Sequence, residues 1–103
     1  MEQTLIIIPT FNEAENIEAI IAAIFAITTK INILVVDDES PDGTGALVLD
    51  LMPVYRQKLF LESRSEKSGL GAAYVHGFKW ALRHNYDYIF EMDADFSHNP
   101  SEL

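Results

Sequence analysis

Apolar and polar positions fall in blocks along this chain. Leu5-Ile6-Ile7-Ile8 is a continuous run closed by Pro9. It predicts a strand buried on both faces, as in a parallel sheet. Asn12, with Glu15 three residues on, has the form of a capping box and predicts a helix start there. Ile17, Ile20, Ile21, Ile24 and Ile27 follow at helical spacing and define one apolar face. Ile31 to Val36 predicts a second buried strand, ending in Asp37-Asp38. Ser40-Pro41-Asp42-Gly43 is a turn sequence. Thr44 to Leu51 then reads as a short helix stopped by Pro53. Lys58 to Glu62 predicts a third strand. Gly69 to His84 predicts a helix with Leu70, Tyr74, Phe78, Ala81 and Leu82 on one face. Tyr86 to Met92 predicts a fourth buried strand, which runs into Asp93-Ala94-Asp95.

Strand and helix thus alternate with short connections, which implies right-handed crossovers and a parallel sheet. The expected fold is α/β, a Rossmann-like parallel sheet with helices on both faces. Ligands of such sheets bind beyond the carboxyl ends of the strands. Each predicted strand is followed there by a polar cluster: Thr10 to Glu13, Asp37 to Ser40, Arg64 to Gly71, and Asp93 to Asp95. The topology puts all four on one edge. No repeat, linker or low-complexity stretch interrupts them.

Composition narrows the function. The 103 residues suffice for one small domain, and 49% are hydrophobic, which excludes a disordered tail. Seven basic against sixteen acidic residues give a formal charge of −9. That argues against a nucleic-acid or anionic-membrane surface and is compatible with metal ions. The absence of cysteine excludes disulfides and thiolate zinc sites. No signal-peptide pattern opens the chain. The longest apolar run, Ala19 to Ile27, is nine residues, whereas a membrane span needs about 20. The last residues, Asn99 to Leu103, read as a helix start with Pro100 in its first turn. The chain is therefore expected to be the N-terminal part of a longer domain.

The candidate chemistry follows the clusters. Asp93 and Asp95 are two carboxylates separated by one small residue, and unpaired charge at the end of a strand calls for a counter-charge. Mg²⁺ takes such oxygen ligands together with substrate phosphates. Phe11 can stack on a flat base and Glu13 can accept a hydrogen bond. The same loop also reads as a proline stop, a buried aromatic and a first-turn Glu favoured by the helix dipole. Of Asp37 and Asp38 only one is expected to reach a ligand, because neighbouring strand residues point to opposite faces. Asp42 reads as a cap. Gly69 and Gly71 suit either backbone contact with an anion, to which Lys67 would add charge, or tight helix–strand packing. Their spacing matches neither a dinucleotide fingerprint nor a P-loop. His76 and His84 are expected on the surface or in packing, and His98 in a loop near the aspartate pair.

As a set these segments resemble the N-terminal half of a family-2, GT-A type glycosyltransferase. They are Ile6 to Glu13, Val35 to Thr44, Gly69 to Tyr74 and Met92 to His98. The P-T-F-N-E and D-A-D motifs resemble the wider family. S-P-D-G-T, G-L-G-A-A-Y and the Ser-His after D-A-D resemble the polyprenol-phosphate (dolichol-phosphate) mannosyltransferases.

The resemblance implies that Pro9, Phe11 and Glu13 contact the nucleoside and that Val36 and Asp38 hold base and ribose. It implies that Asp93, Ala94 and Asp95 face the diphosphate and sugar. Asp95 is the principal metal ligand it implies, for Mg²⁺ or Mn²⁺, with Asp93 close by. Ser97 stands where some members carry a ligating glutamine, so a water is expected to intervene. Glu39 replaces a common asparagine or aspartate, with little effect expected. The implied reaction is transfer of mannose from GDP-mannose to a polyprenyl phosphate, with inversion. It would take place peripherally, on the cytoplasmic face of a membrane. Attachment would use a C-terminal segment or a partner subunit. The acceptor-binding groups would lie beyond Leu103, so the chain by itself is expected not to turn over.

Two alternatives remain at this point. One is another sugar nucleotide, such as UDP-glucose, or another acceptor within the wider family. The other is a phosphoacceptor receiver domain, because Ile33 to Glu39 resembles the end of its first strand. Against it, a whole strand and helix come first, and the Gly77 to Arg83 stretch holds no aspartate.

Overall fold

The structure is a computed structural model that describes residues 3–65 and 70–94. Four strands and three helices alternate. They are β1 (Thr4–Thr10), α1 (Ile17–Ile27), β2 (Ile31–Asp37), α2 (Thr44–Leu51), β3 (Leu59–Ser63), α3 (Leu70–Arg83) and β4 (Tyr88–Glu91). All strand pairs are parallel, in the order β3-β2-β1-β4. The α/β expectation, with helices on both faces, holds.

Side-chain alternation divides the core in two. Ile6, Ile8, Ile33, Val35 and Leu59 pack with Ile17, Ile20, Ile21 and Ile24 of α1 and Val48 of α2. Leu5, Ile7, Leu34 and Val36 pack on the opposite face with Ala73, Trp80 and Ala81 of α3. Fully burying one such aliphatic side chain contributes roughly 1.5–3 kcal/mol. The continuous apolar runs of β1 and β2 are therefore explained by burial on both faces.

Four local expectations need correction. First, α1 begins at Ile17, and Asn12 does not cap it. Asn12 instead adopts φ 56°, a left-handed conformation that ends any helix and that asparagine tolerates. A turn fills the gap, with the Asn16 and Ile17 N–H groups donating to the Glu13 carbonyl. Second, Ile27 is 49% exposed and does not extend the buried face of α1.

Third, the face of α3 is rotated from the one predicted. Phe78 and Leu82 are exposed, whereas Ala73 and Trp80 are buried beside Ala81 and Tyr74, which pack on the core as predicted. The small residues face the sheet because the helix lies close to it. A Cβ at Gly77 would stand 2.8 Å from the Ile7 Cγ2 atom. Gly77→Ala is therefore expected to destabilise the chain by about 1–3 kcal/mol through overpacking. A melting temperature equal to the wild type's would contradict that close approach.

Fourth, β4 is not buried. It is the sheet edge beyond β1, and Tyr88 and Phe90 are each about half exposed. Its apolar run reads like a central strand, but among the described residues only Met92 and Ala94, just past its end, enter the α1–α2 side of the core.

The topology locates a crevice. β1, β2 and β3 progress in one direction, and α3 then carries the chain back across the other face to β4. The order reverses between β1 and β4, and the crevice at such a switch point is where open α/β sheets bind ligands.

Candidate functional site

Thr10, Asp37 and Ser63 are partners across the ends of β1, β2 and β3. On β4, Glu91 is opposite Ile7, and Asp93 follows at the same edge of the sheet. The polar clusters predicted to converge do so, as far as they are described. Lys67, Gly69, Asp95, Ser97 and His98 lie outside the described residues.

The adjacent aspartates have separate surroundings. Asp37 is 3% exposed and accepts three hydrogen bonds. They come from the Thr10 hydroxyl at 2.7 Å, the Ser40 N–H at 3.0 Å and the Ser40 hydroxyl at 2.6 Å. Ser40 Oγ in turn accepts the Asn12 N–H at 2.9 Å. Gly45 keeps room for this carboxylate, since a Cβ there would lie 3.2 Å from Asp37 Oδ2. Asp37 thus ties the β1 and β2 loops together. Asp38 lies outside that network. Its N–H donates to the Thr10 carbonyl, and its carboxylate lies against Arg64, with Nε 3.6 Å from Oδ1.

A second tie runs through Asp42, which does more than the cap expected of it. Its carboxylate accepts the Thr44 hydroxyl and N–H and, across the cleft wall, the Ala14 N–H. The Thr44 hydroxyl is the first cause that holds the Asp42 carboxyl below its ordinary value, with the Ala14 and Thr44 N–H groups adding to it. A carboxyl depressed in this way stabilises the folded loops at neutral pH and loses that contribution as pH falls through its lowered value. Thr44 Oγ1 also accepts the Glu13 N–H at 3.0 Å. Loops 11–14 and 38–44 therefore form one braced wall. Glu39 within it has φ 49°. Asparagine and aspartate occupy that region more readily than glutamate, a physical reason for the residue types common at this place in the resembled family.

On the other side of the switch point, Asp93 is half-buried and accepts the Tyr74 hydroxyl at 3.1 Å. Sequence reasoning used Tyr74 only as part of a motif and missed this contact. The packing role considered for the glycines belongs to Gly77, for a Cβ at Gly71 would meet nothing within 4 Å. His76 pairs with Glu62 at 3.1 Å, and His84 stacks on Trp80 at 3.9 Å, both outside the crevice.

The other expected contact residues divide by exposure. Phe11 is 39% exposed, and Glu13 is half-buried. Pro9, Val36 and Ala94 are buried, the last two in the apolar cores. Among the described residues no group of three metal-ligating side chains gathers. Asp93 is a hard oxygen donor held by a neighbouring hydroxyl, the chemistry that suits Mg²⁺ or Mn²⁺.

Comparison with known proteins agrees with this geometry. The model of the family described as "Glycosyl transferase family 2" matches residues 5–103. A polyprenol monophosphomannose synthase from Mycolicibacterium smegmatis is 49% identical over 102 residues, which are 99% of this chain and 38% of that protein. An undecaprenyl-phosphate mannosyltransferase from Micrococcus luteus is 42% identical over 101 residues, 98% of this chain and 41% of its own. The chain thus spans well under half the length of these relatives. A Pyrobaculum calidifontis mannosyltransferase, solved in complex with GDP-Man and Mn²⁺, superposes with a TM-score of 0.73 at 31% identity. That match covers 90% of this chain and 27% of the other.

Proposed function

The chain belongs to glycosyltransferase family 2, and from that premise we propose that it is the donor-binding part of an inverting transferase. The whole enzyme would move mannose from GDP-mannose to a polyprenyl phosphate. The observation that carries this reading is the placement of Asp38 and Asp93 on either side of the switch-point crevice, on one edge of the sheet. Support for the substrates comes from the mannosyltransferases resembled at 49% and 42% identity and from the GDP-Man and Mn²⁺ bound by the structural neighbour.

In this reading Phe11 stacks on the base, and Asp38 accepts hydrogen bonds from the nucleoside. Glu13 and the buried Pro9 and Val36 shape the wall, Lys67 adds charge by the diphosphate, and Ala94, its side chain in the core, offers only backbone there. Asp93 and Asp95, with Ser97 through a water, would hold a divalent cation, Mg²⁺ or Mn²⁺. When bound, that cation neutralises charge on the departing diphosphate. Tyr74 keeps one Asp93 oxygen in place. An acceptor phosphate oxygen attacks the anomeric carbon from the face opposite GDP, which leaves with the electrons of the broken bond. A phosphate monoester has its second pKa near 6, so the attacking group is already anionic at neutral pH and needs no strong base. Positioning and electrostatics then carry the rate.

The acceptor would bring the enzyme to the cytoplasmic face of a membrane, through a partner subunit or a further segment. Among the described residues, no helix is long and apolar enough to cross one.

Thermal shift with GDP and UDP tests the reading. Mn²⁺-dependent stabilisation by GDP above UDP is expected. Stronger stabilisation by UDP would move the donor to another sugar nucleotide. The receiver-domain alternative is overturned by the family match over residues 5–103.

A further inference from the structure

We propose that the seat of Gly77 on Ile7 positions the Asp93 carboxylate for its cation, an inference that rests on the donor site proposed above. Ile7 of β1 meets both segments that converge on that carboxylate. Its carbonyl accepts the Met92 N–H at 3.0 Å, which fixes the backbone one residue before Asp93. Its side chain carries α3. A Cβ at Gly77 would stand 2.8 Å from Ile7 Cγ2, 3.1 Å from Cδ1 and 3.3 Å from Cγ1. Tyr74 lies one turn before Gly77 on the same helix, and its hydroxyl donates to Asp93 Oδ1 at 3.1 Å. The circuit Ile7, Gly77, Tyr74, Asp93, Met92 thus closes on Ile7.

Covalent and hydrogen bonds set every length in this circuit but one. The exception is the height of α3 above the sheet, which depends on how closely Gly77 sits on Ile7. Ile7 is fully buried among Leu5, Leu34, Val36 and Trp80, and a close-packed interior leaves such a side chain little room to retreat. A methyl at position 77 therefore lifts the helix, and the Tyr74 hydroxyl rises with it. At 3.1 Å its bond to Asp93 is already at the long end for an O–H donor, so a small rise breaks it. Met92, 2% exposed in the α1–α2 side of the core, keeps the Asp93 backbone from following. The carboxylate then loses the hydroxyl that orients it, and outer-shell partners of this kind govern metal affinity by about 10–100-fold.

Calorimetric titration of GDP-mannose with Mn²⁺, and again with EDTA, measures the metal-dependent gain in affinity. The proteins compared are the wild type, Gly77→Ala, Tyr74→Phe, the Gly77→Ala/Tyr74→Phe double variant, Ile7→Leu and Ile24→Val. Gly77→Ala is expected to cut the gain about tenfold, as for loss of an outer-shell partner, and to leave affinity in EDTA unchanged. The double variant is expected to be no worse than Tyr74→Phe alone, because both break the same contact. Ile24→Val destabilises the opposite side of the core and is expected to keep the full gain. Ile7→Leu conserves volume but moves the branch towards the helix, so it folds where Gly77→Ala does not and is expected to lose part of the gain. A gain unchanged in Gly77→Ala, or in Ile7→Leu should Gly77→Ala not fold, would overturn the proposal. So would equal losses with Mn²⁺ and with EDTA, additive losses in the double variant, or the same loss of gain in Ile24→Val. A wild type without any metal-dependent gain would instead defeat the donor-site reading, and this inference with it.

Discussion

Asp37→Ala is expected to destabilise the chain by about 2–4 kcal/mol, because the hydroxyls of Thr10 and Ser40 and the Ser40 N–H lose a shared buried acceptor. For a domain of this size, that lowers the melting temperature by roughly 8–30 °C. The loss is larger than one hydrogen bond would give, since the same carboxylate joins the ends of β1 and β2. Through Ser40 it also holds the Asn12 N–H. Loops 11–14 and 38–44 would then lose one of their two braces, with Asp42 and Thr44 remaining. Asp37→Asn is expected to lose less, because its amide keeps one oxygen. Differential scanning calorimetry checks this directly, and an Asp37→Ala melting point within about 2 °C of wild type would show that the network adds little.

Asp93→Ala is expected to behave in the opposite way. Asp93 is half-buried, follows the edge strand and accepts the Tyr74 hydroxyl. The nucleotide-free melting temperature should change little. Mn²⁺-dependent affinity for GDP-mannose should fall by at least about a hundredfold, beyond the 10–100-fold that follows loss of an outer-shell partner. Tyr74→Phe removes such an outer-shell partner, and a loss of about tenfold is expected. If Tyr74→Phe lowered affinity equally with and without metal, its hydroxyl would serve the helix rather than the carboxylate.

The contrast between the two aspartates also marks what could be read from the chain. The strand and helix blocks were legible because Leu5 to Ile8 and Ile33 to Val36 are buried on both faces, which leaves an unbroken apolar run. The α2 helix matched its prediction at both ends, set by the Ser40-Pro41-Asp42-Gly43 turn and Pro53. Convergence of the clusters followed from parallel topology alone.

Other features depended on distances that residue types do not carry. The α3 face was misread because Phe78 and Leu82 are more apolar than Gly77 and Ala73. Close contact with Ile7 nevertheless selects the small residues. The exposure of β4 was hidden because an edge strand can be as apolar as a central one. The capping box at Asn12 failed because its left-handed backbone makes a loop turn there. The division of labour between Asp37 and Asp38 was expected in kind, since only one would reach a ligand. In the structure the Thr10 and Ser40 hydroxyls take up Asp37, whereas Asp38 lies against Arg64, a difference in surroundings that the residue types alone do not carry.

The central claim is that one edge of this sheet binds a nucleotide sugar through a divalent cation held by the aspartate pair. Isothermal titration of GDP-mannose into the wild type and Asp95→Ala, each with Mn²⁺ and again with excess EDTA, tests it most directly. The account predicts saturable binding by the wild type with Mn²⁺, strongly weakened by EDTA, and no metal-dependent gain in Asp95→Ala. Equal binding by both proteins, with the same gain from Mn²⁺, would contradict it.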